Sequence, residues 1–569
     1  MSERAGPESA SAPRTVLEVQ RLTVESLQGD GLHTIFHDAS LSLPAGEVVL
    51  LVGPSGSGKT LLTKLLAGLI DRGSPRLRIG PNSEIVLGLR SGERVRVLGP
   101  NGRYPARLRG ALGYMFQYHA LFDELTVRDN IRFGADMASD PLPPDAFERE
   151  LQQLARELKL EHVLDAPIDA LSGGQKQRTA LLRMLALRPE ILIYDEPTSG
   201  LDPDASARVA ARIRQVQHHG PAEVRPGMSL VVTHDYPSLL GVADRVVLID
   251  PRRGFEVHPV RSDAEREALR SLLAEALHRW QAPPPRPIPP RDRTLLRDRA
   301  AWHRLRTAPG RLFDLLRATP RLLARSARWH RRFAASIFGL LVLGALPFTA
   351  LAGLAIGLVV SYFSLNSVPQ QLQGQLEPIF IEEILRGLGL ALYQILAPLL
   401  AAICLTARSG AAIAGHLSHM ERSSQLDALR VLGMPPWVLL GDKVVLSFMV
   451  GMPLHAAVCF ATASLAALLV VLATRPLVTW YTFSHSYMAG LGAHVLDLPY
   501  TGSGWLLAKL VPAGLLCGLL AWRQGVRPKR DATDVNRAIT GAIMQGILCV
   551  IAVFFVVLLF EVQRRRAGG

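Results

Sequence analysis

The sequence predicts an α/β domain with a largely parallel sheet over residues 15–260, followed by an all-α polytopic membrane domain of about five spans over 334–563. Three observations lead there. Short β-rich runs alternate with helical stretches from Val16 to about residue 260. A glycine-rich loop, GPSGSGKT (53–60), stands between an apolar run and a helical run. Beyond residue 333, uncharged apolar stretches of about 20 residues recur.

A chain of 569 residues is too long for a single hydrophobic core, so two or more domains are expected. Hydrophobic residues make up 49% and charged residues 20%, but the charges crowd into the first 332 positions. The average therefore hides a soluble half and a membrane half. The first fourteen residues, MSERAGPESASAPR, are small and polar and are expected to be disordered. They lack the apolar core of a secretory signal, so the domain that follows is expected to stay in the cytoplasm.

Within that domain, Glu47–Val52, Ile191–Tyr194, Ser229–Thr233 and Arg245–Ile249 read as strands. A helix rich in Glu, Arg and Leu is expected over 262–280, and the Pro-rich QAPPPRPIPP (281–290) reads as an extended, fairly stiff boundary. Together these fill a connecting region over 261–299. The net charge of +14 is concentrated just beyond, where Arg304, Arg306, Arg311, Arg317, Arg321, Arg325, Arg328 and Arg331 face only Asp314. Such a stretch suits nucleic acid or an anionic membrane face. Because it runs straight into an apolar span, residues 300–333 are read as a basic amphipathic helix on the membrane surface, with no nucleic-acid partner.

The expected spans are Ala334–Phe363, Gly387–Ala407, Val444–Ala473, Leu506–Trp522 and Ile539–Phe560, of which only the fourth holds a formal charge, Lys509. With the N-terminus inside, the inner loops collect Arg408, Arg422, Arg430, Lys443, Arg523, Arg527, Lys529, Arg530 and Arg537, as the positive-inside rule requires. An odd number of spans leaves Arg564, Arg565 and Arg566 outside, against that rule. Either the last helix does not cross fully or these late charges orient weakly. The four cysteines (Cys404, Cys459, Cys517, Cys549) have neither zinc spacing nor the number for a disulfide framework and read as small apolar packing residues.

The chemistry sits in the first half. In Gly53, Pro54, Ser55, Gly56, Ser57, Gly58, Lys59 and Thr60, the glycines let backbone N–H groups turn toward phosphates at a helix N-terminus. Lys59 would neutralise the β- and γ-phosphates and Thr60 would ligate magnesium. LSGGQKQR (171–178) opens another helix, where Ser172, Gly173, Gly174 and Gln175 offer a second N–H-rich cradle. ILIYDEP (191–197) is a buried strand ending in two carboxylates. Asp195 would hold magnesium, through water, and Glu196 would polarise the attacking water. SGLD (199–202) follows, then His234 in VVTHD, and Gln117 in YMFQ is the remaining candidate sensor of metal and water.

The order of these motifs resembles that of the ABC ATPases over about residues 16–260. The resemblance implies ATP and Mg2+ as cofactors and a homodimer that sandwiches two nucleotides. Each site would join Gly53–Thr60, Gln117, Asp195, Glu196 and His234 of one copy to Ser172–Gln175 of the other. ABC ATPases often stack adenine on an aromatic residue before the glycine-rich loop. ESLQGDGLHTIF offers no Tyr or Phe at the usual place, and a surface role suits His33 better than substitution for it.

ARSGAAIAGHLSHMERSSQLDALRVLGMPP (407–436) is similar to the cytoplasmic coupling region of Mla-type permeases, at Arg408, Gly410, Gln425, Asp427, Ala428, Leu429, Gly433 and Pro436. DVNRAITGAI (534–543) fits the same family. His416 and Ser424 stand where that family usually has Glu, and Gln394-Ile395 replaces an Arg-Glu pair. Residues His416–Leu432 are expected to form a helix that seats its apolar face in the ATPase. The resemblance implies a phospholipid or related amphiphile as substrate, an inner-membrane location, and a periplasmic lipid-binding partner of the mammalian-cell-entry type. The alternative is an ABC-type force transmitter that drives an envelope partner without moving substrate. A soluble ABC ATPase would need paired nucleotide domains and no spans.

Overall fold

A computed structural model describes residues 15–28, 31–72, 74, 77–98, 104–105, 108, 110–138, 140–219, 225–250, 254–279, 327–366, 377–475, 478–492, 500–529 and 531–567. The N-terminal fourteen residues, the Pro-rich boundary and most of the expected basic helix lie outside them. The chain divides into two compact units, Met1–Ala327 with Ser423–Pro435, and Arg328–Arg422 with Pro436–Gly569.

The first unit is built on a six-stranded sheet. Its strands are β3 (Val48–Val52), β7 (Leu112–Met115), β8 (Ile191–Asp195), β9 (Met228–Val232), β10 (Arg245–Asp250) and β11 (Gly254–Pro259), in the order β11-β10-β3-β9-β8-β7. All neighbours are parallel except β10 and β11. Every residue of β3, β7, β8 and β9 is buried, the continuous apolar pattern of strands covered on both faces. The expected α/β domain and its four strands are thus present. Helix α1 (Lys59–Leu66) follows β3, and α2 (Val127–Asp136), α3 (Pro144–Glu157), α4 (Gly173–Ala186), α5 (Pro203–His218), the short α6 (Tyr236–Leu239) and α7 (Asp263–Arg279) share one core with this sheet. Leu269 and Leu273 of α7 enter the same core as Leu50 and Leu192, so the packed domain runs past residue 260.

A second, antiparallel sheet escaped the sequence reading. It joins β1 (Thr15–Gln28), β2 (Gly31–Pro44), β5 (Glu84–Gly88) and β6 (Arg94–Leu98) in the order β2-β1-β5-β6, with β4 (Leu77–Ile79) on β1. Register shifts between Val19 and Leu22 and between Leu22 and Val24 interrupt the two-residue alternation by which a strand is recognised.

Among the described residues, the second unit has five helices long and apolar enough to cross a membrane: Ala327–Asn366, Phe380–Arg422, Trp437–Thr474, Ser503–Gly525 and Ala532–Arg564. Each contains one expected span and extends beyond it. The last, at 33 residues, is roughly 50 Å long, enough to cross a membrane. Its Glu561 pairs with Lys509 near the start of the fourth span at 2.8 Å, with the two side chains only 4% and 3% exposed. The two helices therefore run antiparallel, the end of one beside the beginning of the other.

The first span is broken by a 3-10 turn at Leu343–Ala345. Arg408 donates to the Leu340 carbonyl, Ser409 Oγ to Leu341 O and His455 Nε2 to Val342 O, at 2.6, 2.6 and 3.1 Å. Irregular backbone at membrane depth is tolerated where neighbouring helices supply such partners.

Candidate nucleotide site and coupling segment

The parallel sheet gathers the site. β3, β9, β8 and β7 are successive neighbours. The loop 53–60, His234, the pair Asp195-Glu196 and Gln117 each stand at or just past the C-terminal end of one of them, so all converge on one sheet edge.

In the glycine-rich loop, Gly58 caps α1 with φ 97°. A Cβ there would lie 2.6 Å from both Ile35 and Phe36, and at Gly53 it would lie 2.8 Å from Ser57 Oγ and 3.0 Å from Ile249 O. Only glycine fits the first position, which is both left-handed and crowded. Lys59 Nζ donates to Gly53 O at 2.8 Å and Pro54 O at 3.0 Å, folding the ammonium back over the loop. Burial pushes its pKa down, opposed by the nearby Glu196 and Asp195 carboxylates. Ser55, Gly56 and Thr60 are exposed, and the Ser57 hydroxyl is buried with no hydrogen-bond partner among the described residues.

Glu196 sits at φ 57°, a strained position for a side chain of its size. Its N–H donates to Val232 O at 2.9 Å, and its carboxylate accepts from the His234 N–H at 3.2 Å. His234 Nε2 lies 3.3 Å from the other carboxylate oxygen; the imidazole is 58% exposed and Glu196 only 10%. The two are thus paired from adjacent strands, one nearly buried and one open to a ligand. Asp195 is buried and its pKa is pushed up by burial, against a hydrogen bond from Tyr114.

Among the described residues no group of three His, Cys, Asp or Glu side chains is gathered as a metal site. Magnesium suits this edge nonetheless, because it keeps several waters and takes few protein ligands besides nucleotide phosphates. The exposed Thr60, the buried Asp195 carboxylate and the exposed Gln117 are a donor set of that kind.

Ser172–Gln175 opens α4 elsewhere. Ser172 Oγ accepts from Gln175 N at 3.3 Å and Gln175 Oε1 from Ser172 N at 2.8 Å, a complete capping box. Ser172 and Gly173 are exposed, and a Cβ on Gly173 would meet nothing within 4 Å. The helix behind is tied to the sheet edge by Gln177, inside the LSGGQKQR run, and by Arg183, which no motif marked. Gln177 donates to Pro197 O just after Glu196. Buried Arg183 donates to Ala120 O and His119 O at 2.6 and 3.1 Å, holding the turn after Gln117, and burial drops its pKa to about 10.

The coupling segment also belongs to this unit. The long second span ends at Arg422, Ser424 turns at φ 60°, and a separate helix α8 (Gln425–Val431) follows. The single helix expected over His416–Leu432 is therefore two, broken at a left-handed serine. Leu426, Leu429 and Leu432 are buried as expected. Gln425 Nε2 donates to Asp123 Oδ2 at 2.9 Å and the Gly110 N–H to Val431 O at 3.4 Å, placing α8 against β7.

Two family models match the chain: ABC transporter over residues 36–199 and Permease MlaE over residues 337–560. The chain is an ABC transporter ATPase domain fused to an MlaE-family permease domain. It is similar to sulfate/thiosulfate import ATP-binding proteins from Yersinia pestis, 37% identical over 221 residues, and Salmonella typhi, 38% identical over 221 residues. Those matches cover 38% of this chain and 54% of each relative, so the chain spans about half the length of these relatives. Among solved structures it is similar to an ATP-binding subunit of an ABC transporter, 26% identical with a TM-score of 0.37, covering 46% of this chain and all of that one. It is also similar to a dimeric ATP-binding cassette bound to ADP and Pi, 20% identical with a TM-score of 0.36, covering 43% and 99%.

In the MlaE-family domain, Gln394 and Ile395 fall in a π-helical turn, Leu392–Leu396, an irregularity frequent at functional sites. Beside it lies a largely apolar cavity of about 610 Å³ whose lining includes Tyr393, Phe460, Phe483, Tyr487, Leu506 and Leu510.

Proposed function

We propose that two copies of this chain form an ATP-driven transporter that moves phospholipid or a related amphiphile between the inner membrane and the cell envelope. The observation that carries this reading is α8: a short helix between the second and third spans of an MlaE-family permease is buried on an ABC ATPase domain. Nucleotide closure then has a lever on the spans.

Within each site, Glu196 orients and deprotonates the attacking water, and His234, held beside it, faces the γ-phosphate. The loop Gly53–Thr60 grips the phosphates through its N–H groups. Thr60, Gln117 and Asp195 hold Mg2+, which supplies charge neutralisation at the phosphates when bound. In the Ser172–Gln175 cradle the exposed Ser172 and Gly173 are open to receive the nucleotide of a second copy, which supports the homodimer.

The sulfate and thiosulfate named for the relatives belong to proteins matched over 221 residues, a length close to that of the ATPase domain alone. The apolar cavity and nearly uncharged spans suit an acyl chain better than a small anion. An inner-membrane location and a periplasmic partner of the mammalian-cell-entry type complete the reading. The test is mass spectrometry of lipids retained by purified Glu196→Gln protein with and without ATP. Selective, nucleotide-dependent retention is expected; recovery of bulk membrane lipid alone, unchanged by ATP, would favour force transmission to a partner.

A further inference from the structure

Two hydroxyls join the residues proposed to hold magnesium. Tyr114 OH lies 3.1 Å from Asp195 Oδ2 and 2.9 Å from Thr63 Oγ1, and Thr63 Oγ1 donates to Thr60 O at 3.0 Å. Tyr114, Thr63 and Asp195 are all buried. We infer that Tyr114 is a positioning residue of the metal site, aiming the Asp195 carboxylate at the first turn of α1 before magnesium arrives. This rests on the nucleotide-site reading above.

The donor inventory fixes the direction. An ionised carboxylate only accepts, so the phenol proton points at Asp195. The single Thr63 proton then serves either the phenol oxygen, completing the link from Thr63 through Tyr114 to Asp195, or the Thr60 carbonyl. A buried carboxylate short of a donor is costly, and a rotamer that restores water contact would move it off the metal. Tyr114 prevents that rotation. Residues that orient metal ligands from behind act in this way on affinity. The location adds a second argument. Tyr114 lies on β7, the strand that leads to Gln117 and that α8 packs against. One strand thus carries the positioning phenol, leads into a proposed metal sensor and meets the permease helix.

The experiment is a Mn2+ titration of the full-length chain in detergent, followed by electron paramagnetic resonance with saturating ATP, alongside ATP affinity measured without divalent metal. Tyr114→Phe should leave metal-free ATP affinity unchanged and raise the Mn2+ half-saturation about tenfold. A half-saturation unchanged within about twofold overturns the proposal. Should Tyr114→Phe lose metal-free ATP binding as well, Thr63→Val decides: a raised half-saturation supports the string and an unchanged one overturns it. A wild-type chain whose nucleotide binding ignores Mn2+ would overturn the magnesium reading itself. The wild type alone reports that failure, so the two are told apart.

Discussion

The amide of Gln425 donates to the carboxylate of Asp123 at 2.9 Å, joining residues 302 positions apart in the chain. One lies on the helix between two spans, the other six residues beyond Gln117 in the ATPase domain. If this contact passes ATPase closure to the permease, Gln425→Ala and Asp123→Ala should lower lipid moved per ATP split in proteoliposomes while hydrolysis persists. A double-mutant cycle should return a coupling of about 1–2 kcal/mol. An unchanged ratio of transport to hydrolysis would remove the pair from coupling.

Glu196→Gln should keep ATP binding and slow hydrolysis by a factor of about 10²–10⁴, because the attacking water loses its acceptor. Steady-state phosphate release together with nucleotide affinity checks it. Turnover near wild type would reassign the base.

The interhelical pair of Lys509 and Glu561 should show the asymmetry of buried charges. Lys509→Met alone removes the buried ammonium from beside Glu561 and should lower the unfolding temperature. Adding Glu561→Leu should recover most of that loss. Thermal unfolding of the purified variants measures both, and a double variant no more stable than the single one would contradict the pairing.

His119 supplies a pH dependence. Its pKa is held below the usual imidazole value, first by burial and then by the positive charges of Lys176 and Arg183. The unfolded chain therefore binds this proton more readily than the folded one. The stability it contributes is present above about pH 6.5 and is lost as pH falls through the depressed folded value. His119→Asn, which tolerates the left-handed backbone there (φ 63°), should flatten the acid side of the Tm-against-pH curve. An identical slope in variant and wild type would count against it.

Much of this was legible in the sequence because the chemistry is local. Phosphate binding needs N–H groups from a contiguous loop, so Gly53–Thr60 and Ser172–Gln175 are visible as strings. Buried parallel strands read as uninterrupted apolar runs, and spans as long ones. What was hidden depends on strand order or on irregular backbone. Tyr114 reaches Asp195 only because β7 and β8 are neighbours. Arg183 looks like any helix arginine until the turn after Gln117 folds over it. The break at Ser424 requires a left-handed serine, which sequence periodicity does not foresee. Glu561 lay just past the apolar window that marked the last span.

The most direct test of the composite site uses dimers assembled from two differently tagged chains in the Glu196→Gln background. Lys59→Ala damages one side of a site and Ser172→Arg the facing side contributed by the other copy. With one substitution on each chain, both lesions fall in the same site, and one ATP per dimer should remain occluded. With both on a single chain and none on its partner, each site carries one lesion and no ATP should be held. Equal occlusion in the two arrangements would contradict nucleotide sites shared between copies.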